Sequence, residues 1–197
     1  KFLAETTPEI FERSKKRGQD VAAAVWEWST TDTYGHDAYK DPFSDYDWQA
    51  NYKKVGDWVA TLPGPGKGMF PYWGNVRRFA LPDAAKICRP PLPYDESTNS
   101  AMFSQAIEVY AQNTPTQSYE AEWVGEFWSD DLLDLTFSPP ARWVAIANQV
   151  LDHEQSSLET ALETYAKVGM AINDAGVGCW NSKYHYNVER PQTYIHR

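Results

Sequence analysis

The sequence has no long apolar run, few cysteines and no excess of positive charge. Nowhere do about 18 apolar residues follow one another, so the sequence predicts no membrane span. Its 18 lysines and arginines are outnumbered by 27 aspartates and glutamates, which leaves a net charge of −9 and no basic stripe for nucleic acid. With only two cysteines, Cys88 and Cys179, one disulfide and two buried thiols are both open.

Aromatic residues, in contrast, are abundant. Nine tryptophans and twelve tyrosines are many for 197 residues, and they predict aromatic-lined pockets or thick loop packing. The length allows one domain, or one and part of a second, and residues 1–197 are predicted to form a single helical domain. The chain begins at Lys1 without an initiator Met or a signal peptide, which is typical of a mature or trimmed start.

Helical patterns dominate, and no segment has the pattern of a convincing strand. In residues 6–28, apolar side chains recur at spacings of three and four, and Thr6 with Glu9 forms a capping box. This pattern predicts a first helix with one buried stripe. The stripe consists of Phe11, Ser14, Gly18, Val21, Val25 and Trp28.

Four further helices are predicted. They run from Asn99 or Ser100 to Tyr110, from Thr114 to about Trp128, from Pro139 to Leu151, and onward from a capping box at Ser156 and Glu159. The last helix is expected to bury Leu158, Leu162, Tyr165, Gly169, Ile172 and Gly176. Gly169 and Gly176 are expected to permit a close helix crossing.

Residues 54–98 are rich in proline and glycine and are expected to be irregular. Within them, residues 62–66 form a loop by turn chemistry. The segment either covers the mouth of a site or wraps over the helices. The fold class predicted from these patterns is all-α, a helical bundle with long Pro/Gly-rich loops.

Acidic and aromatic residues interleave just after the first helix. Asp41, Asp45 and Asp47 lie close together, but their spacing is not that of an EF-hand loop. A solvated loop pinned by aromatic rings is the favoured interpretation, and no metal site is predicted.

The stretch from Asp174 to Arg197 holds the pattern of greatest interest, Lys183 followed seven residues later by Arg190 and then Pro191. If the segment is helical up to Pro191, the two cations share a face about 10.5 Å apart along the axis. A planar guanidinium fork and a movable ammonium then suit one small oxyanion. The alternative is an ordinary solvated helix face.

The neighbours of this pair favour a site over a solvated face. Trp180 and Asn187 are expected on the same stripe as the two cations, and Tyr184 lies beside them. A solvated helix face rarely carries as many aromatic rings as this stretch, which also holds Tyr186 and Tyr194. Trp180, Tyr184 and Asn187 are therefore the predicted lining of a substrate pocket, and Lys183 and Arg190 its charged residues.

This stretch resembles the first signature motif of the vanadium-dependent haloperoxidase and type 2 phosphatidic acid phosphatase superfamily. The resemblance is carried by Asp174-Ala175-Gly176, Trp180, Lys183 and Arg190-Pro191. Upstream, it extends to 127–131, Pro139-Pro140, Trp143, 145–147 and, more loosely, 71–79, which are similar to a secreted bacterial haloperoxidase-like branch.

The resemblance implies that Lys183 and Arg190 hold the oxygens of vanadate, or of phosphate in the same pocket. A haloperoxidase of this kind oxidises halide with hydrogen peroxide, and a ring at Trp180 is expected near the halide. A related acid phosphatase would instead hydrolyse a phosphoester. The implied location is secreted or periplasmic, in a bacterium.

Two later family motifs are absent from the 197 residues. One is Pro-Ser-Gly-His, and the other is an Arg followed by the His that bonds to phosphorus or vanadium; none of the four histidines lies in either context. The chain is therefore expected to be the N-terminal part of a larger enzyme, with the missing C-terminal part as its partner, and inactive alone. A non-catalytic oxyanion-binding helical module is the third interpretation.

Overall fold

The computed structural model describes residues 2–61, 67–112, 118–129 and 137–197, with side chains from residue 4 onward. Within these ranges the chain forms seven α-helices and no strand, so the all-α prediction is confirmed. The helices are α1 Pro8–Ser29, α2 Trp48–Asn51, α3 Ala101–Gln112, α4 Tyr119–Trp128, α5 Pro139–His153, α6 Leu158–Tyr186 and α7 Pro191–Ile195. None of these described helices combines the length and apolar character that a membrane span requires.

Local chemistry sets where the helices begin. Thr7 caps α1 by accepting a hydrogen bond from the N–H of Ile10, and Pro8 takes the first helical position. Ser157 caps α6 in the same way, through the N–H of Thr160. Both caps lie one residue later than the predicted capping boxes at Thr6 and Ser156, because adjacent hydroxyl residues compete for the capping position. The predicted start at Thr114 lies outside the described residues.

Helix α1 does not bury its apolar stripe, and the prediction that it does is wrong. No residue of α1 is buried; Val21 is 46% and Val25 50% exposed. The spacing identified a real apolar face, but a face is buried only where another element covers it. In the described structure, the stripe borders an open groove of about 1070 Å³ that Leu162 of α6 also lines.

Helix α6 is the element around which the other segments gather. It packs against α5 and against the short 3₁₀ turn Trp73–Asn75. Its buried residues are Ala161, Asp174, Val177, Gly178 and Ser182. This is not the predicted face: Leu162 is 62% exposed, and nothing approaches a Cβ built at Gly169 within 4 Å. The apolar pattern missed this face because three of its five buried residues, Asp174, Gly178 and Ser182, are polar or glycine.

Residues 67–88, which we call the strap, run along α6 and are irregular apart from two 3₁₀ turns. A Cβ on Gly74 would lie 2.8 Å from the Cα of Asn181, so only glycine lets the strap approach the helix backbone this closely. Gly176 in turn faces the ring of Trp73, whose Nε1 would lie 3.4 Å from an added Cβ. Both glycines thus allow the strap and α6 to approach closely, Gly74 from the strap and Gly176 from the helix. The sequence had predicted a helix crossing at Gly176.

Asp174 ties the strap to α6. Its buried carboxylate accepts hydrogen bonds from the N–H groups of Phe79, Ala80 and Leu81, at 2.7–2.8 Å. Burial alone would raise the pKa of Asp174, but these donors outweigh burial and the pKa is lowered. The carboxylate therefore stays ionised and fixes the strap beside the second half of α6.

Candidate anion-binding site

Helix α6 ends before it reaches Arg190. Its last residue is Tyr186, and Asn187 takes a left-handed conformation (φ 48°, ψ 42°) with its N–H donating to the carbonyl of Lys183. Asn tolerates this conformation better than most residues, and the residue before a proline disfavours helix. The prediction of one continuous helix up to Pro191 is therefore wrong.

Arg190 lies in extended backbone and forms the N-cap of α7, with Pro191 at the first helical position. Pro191 thus starts a helix, although the sequence suggested that it ends one. Lys183 and Arg190 lie on opposite sides of the break at Asn187, not two turns apart on one face. The predicted stripe that joined them to Asn187 does not exist.

Both cations are nevertheless available to an anion. The side chains of Lys183 and Arg190 are exposed, and within the described ranges neither forms an ion pair. This is notable in a chain whose net charge is −9, since carboxylates are plentiful. The only described contact of either charged group is the ammonium of Lys183 above the ring of Trp180, 4.6 Å from its centroid.

The ring of Trp180 is held in place by the strap. Its Nε1 donates a hydrogen bond to the carbonyl of Met69 at 2.9 Å, and the hydroxyl of Tyr184 donates to the same oxygen at 2.8 Å. The ring of Phe70 packs edge-on to Trp180 at 6.3 Å. Trp180 and Tyr184 lie one turn apart on α6, and both bond to the same carbonyl of the strap. These two bonds hold the strap at Met69 against the helix.

Tyr184 is well suited to this structural bond. Burial raises its pKa well above the ordinary value, so the hydroxyl remains a donor at any physiological pH. Tyr46 packs edge-on against its ring at 4.8 Å. A side chain on Gly68 would collide with the Tyr184 hydroxyl, which explains the glycine there.

Asn187 connects the end of α6 to the segment after α2. Its carbonyl accepts the N–H of Trp58 at 2.8 Å, and its side-chain amide donates to the carbonyl of Asn51 at 3.2 Å. Val188 then pairs with Asp57 in an isolated antiparallel bridge. These bonds fix the backbone between the two cations.

Two residues of the site region escaped the sequence analysis, Glu189 and Arg197. The side chain of Glu189 is fully buried and pairs with the two terminal guanidinium nitrogens of Arg197. A carboxylate next to Arg190 suggests a local pair, and nothing in the sequence indicates the partner eight residues later.

Other predicted features have structural roles. Arg77 stacks on Trp28, and Arg78 pairs with Asp83 at 2.7 Å, so neither is free to charge the site. Asp41 and Asp47 cap local turns. Among the described residues, no three His, Cys, Asp or Glu side chains come together as metal ligands. Both cysteines are free and exposed, so neither predicted alternative, a disulfide or buried thiols, describes them.

Comparison with known proteins gives a family match and a structural match. The family described as the VCPO second helical-bundle domain matches residues 163–197, which include Lys183 and Arg190. The fold is similar to the crystal structure of a bacterial vanadium-dependent iodoperoxidase, with a TM-score of 0.74 and 30% identity. That likeness covers 94% of this chain but 45% of the iodoperoxidase chain, so this chain spans less than half the length of that protein. No curated protein sequence matches.

Proposed function

Since this chain belongs to the vanadium haloperoxidase-like superfamily, we propose that it contributes Lys183 and Arg190 to the oxyanion site of an enzyme that oxidises halide with hydrogen peroxide. The observation that carries this proposal is the state of the two cations. Both are exposed and without a carboxylate partner in the described structure, in a strongly acidic chain. Unpaired cations of this kind attract a small anion.

The two side chains fit vanadate as a cofactor. Arg190 offers a planar set of N–H donors that matches two oxygens of a tetrahedral anion, and Lys183 offers a compact charge on a flexible stem. When bound, vanadate would supply the centre that activates hydrogen peroxide towards halide. The part played by this chain is to bind and orient the anion and to offset its charge.

Trp180 supports halide oxidation over phosphoester hydrolysis. A halide is a weakly hydrated anion, and a ring-lined surface beside a cation suits it better than a set of strong hydrogen-bond donors does. Trp180 provides such a surface next to Lys183, with Phe70 packed against its edge. Tyr184 keeps the ring in place through Met69. We propose that Trp180, Tyr184 and Asn187 border the substrate pocket.

A second candidate is an acid-phosphatase-like phosphomonoester hydrolase of the same superfamily. It is favoured by the donor set itself, because Lys183 and Arg190 suit phosphate as well as vanadate. A third is a non-catalytic oxyanion-binding module, which is favoured by the absence of the Pro-Ser-Gly-His motif from the 197 residues. This chain spans less than half of the iodoperoxidase chain, so the presence or absence of the two later motifs in the complete protein decides among the three.

The deciding experiment uses the complete protein. Oxidation of bromide and iodide by hydrogen peroxide is measured with and without added vanadate, beside hydrolysis of a generic phosphomonoester. We expect halide oxidation that requires vanadate and that phosphate inhibits, because both anions need the same cations. If vanadate only inhibits a phosphatase activity, the second candidate replaces the first. If both anions bind without any turnover, the module interpretation is correct.

A further inference from the structure

Glu189, the residue immediately before Arg190, is a fully buried carboxylate. Its two oxygens accept hydrogen bonds from Arg197, at 3.1 Å from Nη1 and 2.5 Å from Nη2. The side chain of Arg197 is one-third exposed. The hydrogen bond to Glu189 raises the pKa of Arg197, so the guanidinium stays charged. A bidentate pair with one buried member is the geometry in which removal of one partner is most damaging.

The backbone beside Glu189 is clasped by another segment. The N–H of Glu189 donates to the carbonyl of Gly56 at 2.9 Å, and Trp58 donates to Asn187 at 2.8 Å. We call residues 56–58 the clasp. Asp57 stiffens it, because its carboxylate accepts the N–H groups of Lys53 and Lys54.

The clasp and the ion pair meet at Tyr94. Gly56 has a φ of 96°, and any side chain there would overlap the ring of Tyr94. The hydroxyl of Tyr94 also accepts a hydrogen bond from Arg197 and donates one to Glu96. Burial and the contact with Glu96 raise the pKa of Tyr94 to about 12. Tyr94 therefore contacts both partners of Glu189, the clasp through Gly56 and the guanidinium of Arg197.

From this arrangement we propose that Glu189 and Arg197 are a positioning pair for Arg190, the second cation of the proposed anion site. The inference rests on the proposed function. In extended backbone, adjacent side chains point to opposite sides, so Glu189 buried inward directs Arg190 outward. Pro191 fixes the backbone on the other side of Arg190.

No side-chain partner positions Arg190 in the described structure. Its side chain makes no described hydrogen bond or ion pair, so its placement depends on its backbone. If Arg197 were lost, the buried carboxylate of Glu189 would have to move towards water and would pull residues 187–190 away from the clasp. Arg190 would then be disordered before the anion binds. The entropy lost when Arg190 becomes ordered would weaken the affinity for the anion.

The test measures the affinity of the complete protein for phosphate and for vanadate by isothermal titration calorimetry. R197A is expected to bind both anions at least tenfold more weakly than the wild type. If R197A does not fold, R197K replaces it in the test, because this variant keeps the charge and loses the planar fork. R197K is expected to lower the affinity for both anions by about three- to tenfold. The neutral pair E189Q/R197M is expected to return the affinity to within about threefold of the wild type, because no unpaired charge is left buried.

A matched control breaks an ion pair elsewhere. Lys167 pairs with Glu163 at 2.5 Å on the exposed surface of α6 and lies far along the helix from Lys183. K167A is expected to leave the affinity for both anions unchanged.

Double variants distinguish positioning from general damage. If the pair acts through Arg190, R197A weakens anion binding in a K183A background but adds nothing in an R190A background. An equal loss in both backgrounds, or no rescue by E189Q/R197M, would overturn the positioning role while leaving the proposed function intact. If the wild type binds neither anion, or if R190A binds as tightly as the wild type, the proposed function itself fails and the positioning role falls with it.

Discussion

The ammonium group of Lys183 lies above the ring of Trp180, 4.6 Å from the ring centroid. The ring is itself anchored, since Trp180 donates to the carbonyl of Met69. In the proposed site, Trp180 would therefore have two roles, as a surface for a weakly hydrated anion and as a platform for Lys183.

Removal of the ring is expected to affect halide oxidation more than anion binding. A cation–π contact at an exposed site contributes about 0.5–1 kcal/mol, so W180A should weaken vanadate binding only a few-fold. W180F keeps a ring and loses the bond to Met69, and should fall between W180A and the wild type. Vanadate affinity and the rate of bromide oxidation are measured on the complete protein. Equal rates for W180A and the wild type would remove Trp180 from the halide site.

Each of the two cations is expected to carry a substantial share of the anion affinity. K183A and R190A should each weaken phosphate or vanadate binding by about 1.5–3 kcal/mol, the scale of a hydrogen bond to a charged group. K167A is the control, since Lys167 is an exposed lysine of the same helix that already has a partner. Titration calorimetry measures the affinities. Unchanged affinity in both K183A and R190A would refute the proposed site.

Asp174 is expected to stabilise the fold in a pH-dependent way. Its folded pKa lies below the ordinary 3.8, so its contribution is complete above about pH 5 and is lost as the pH falls through the folded pKa. D174N should lower the free energy of unfolding by about 2 kcal/mol at pH 7 and by less near pH 3. The control is D45N, because the Asp45 side chain is fully exposed. Urea unfolding at the two pH values measures both variants, and equal destabilisation at both would contradict the expectation.

Two glycines are expected to respond to alanine in opposite directions. At Gly74 a Cβ meets the backbone of α6, so G74A should push the strap away and lower the free energy of unfolding by about 1–3 kcal/mol. At Gly18, within α1, nothing lies within 4 Å of a Cβ, and G18A should stabilise the helix by up to about 1 kcal/mol. Thermal unfolding compares the two variants. A G74A protein as stable as the wild type would show that the strap tolerates displacement.

The sequence predicted those features that depend on short-range chemistry. Pro8 and Pro139 mark helix starts because proline suits the first helical turn, and both helices begin there. The fold class follows from the same local signals. The capping residues were missed by one position at Thr7 and Ser157, where two hydroxyl residues in a row offer nearly equal caps.

The features it missed depend on partners distant in the chain. The apolar stripe of α1 was visible, but no pattern within α1 says whether another element covers it. The left-handed Asn187 bonds to Asn51 and Trp58, which lie more than 120 residues earlier in the chain. The Glu189–Arg197 pair likewise depends on the turn before Pro191. It could not be predicted while the segment was taken as one long helix.

The strap also has a consequence for the order in which the chain becomes structured during synthesis. Phe79, Ala80 and Leu81 bond to Asp174, which lies 93–95 residues later. At about 5–20 residues per second, a ribosome takes roughly 5–20 s to add that length. An interval of this length therefore separates the emergence of the strap from the emergence of the helix that orders it. The contacts of Phe70 and Trp73 with α6 therefore form only after α6 has emerged.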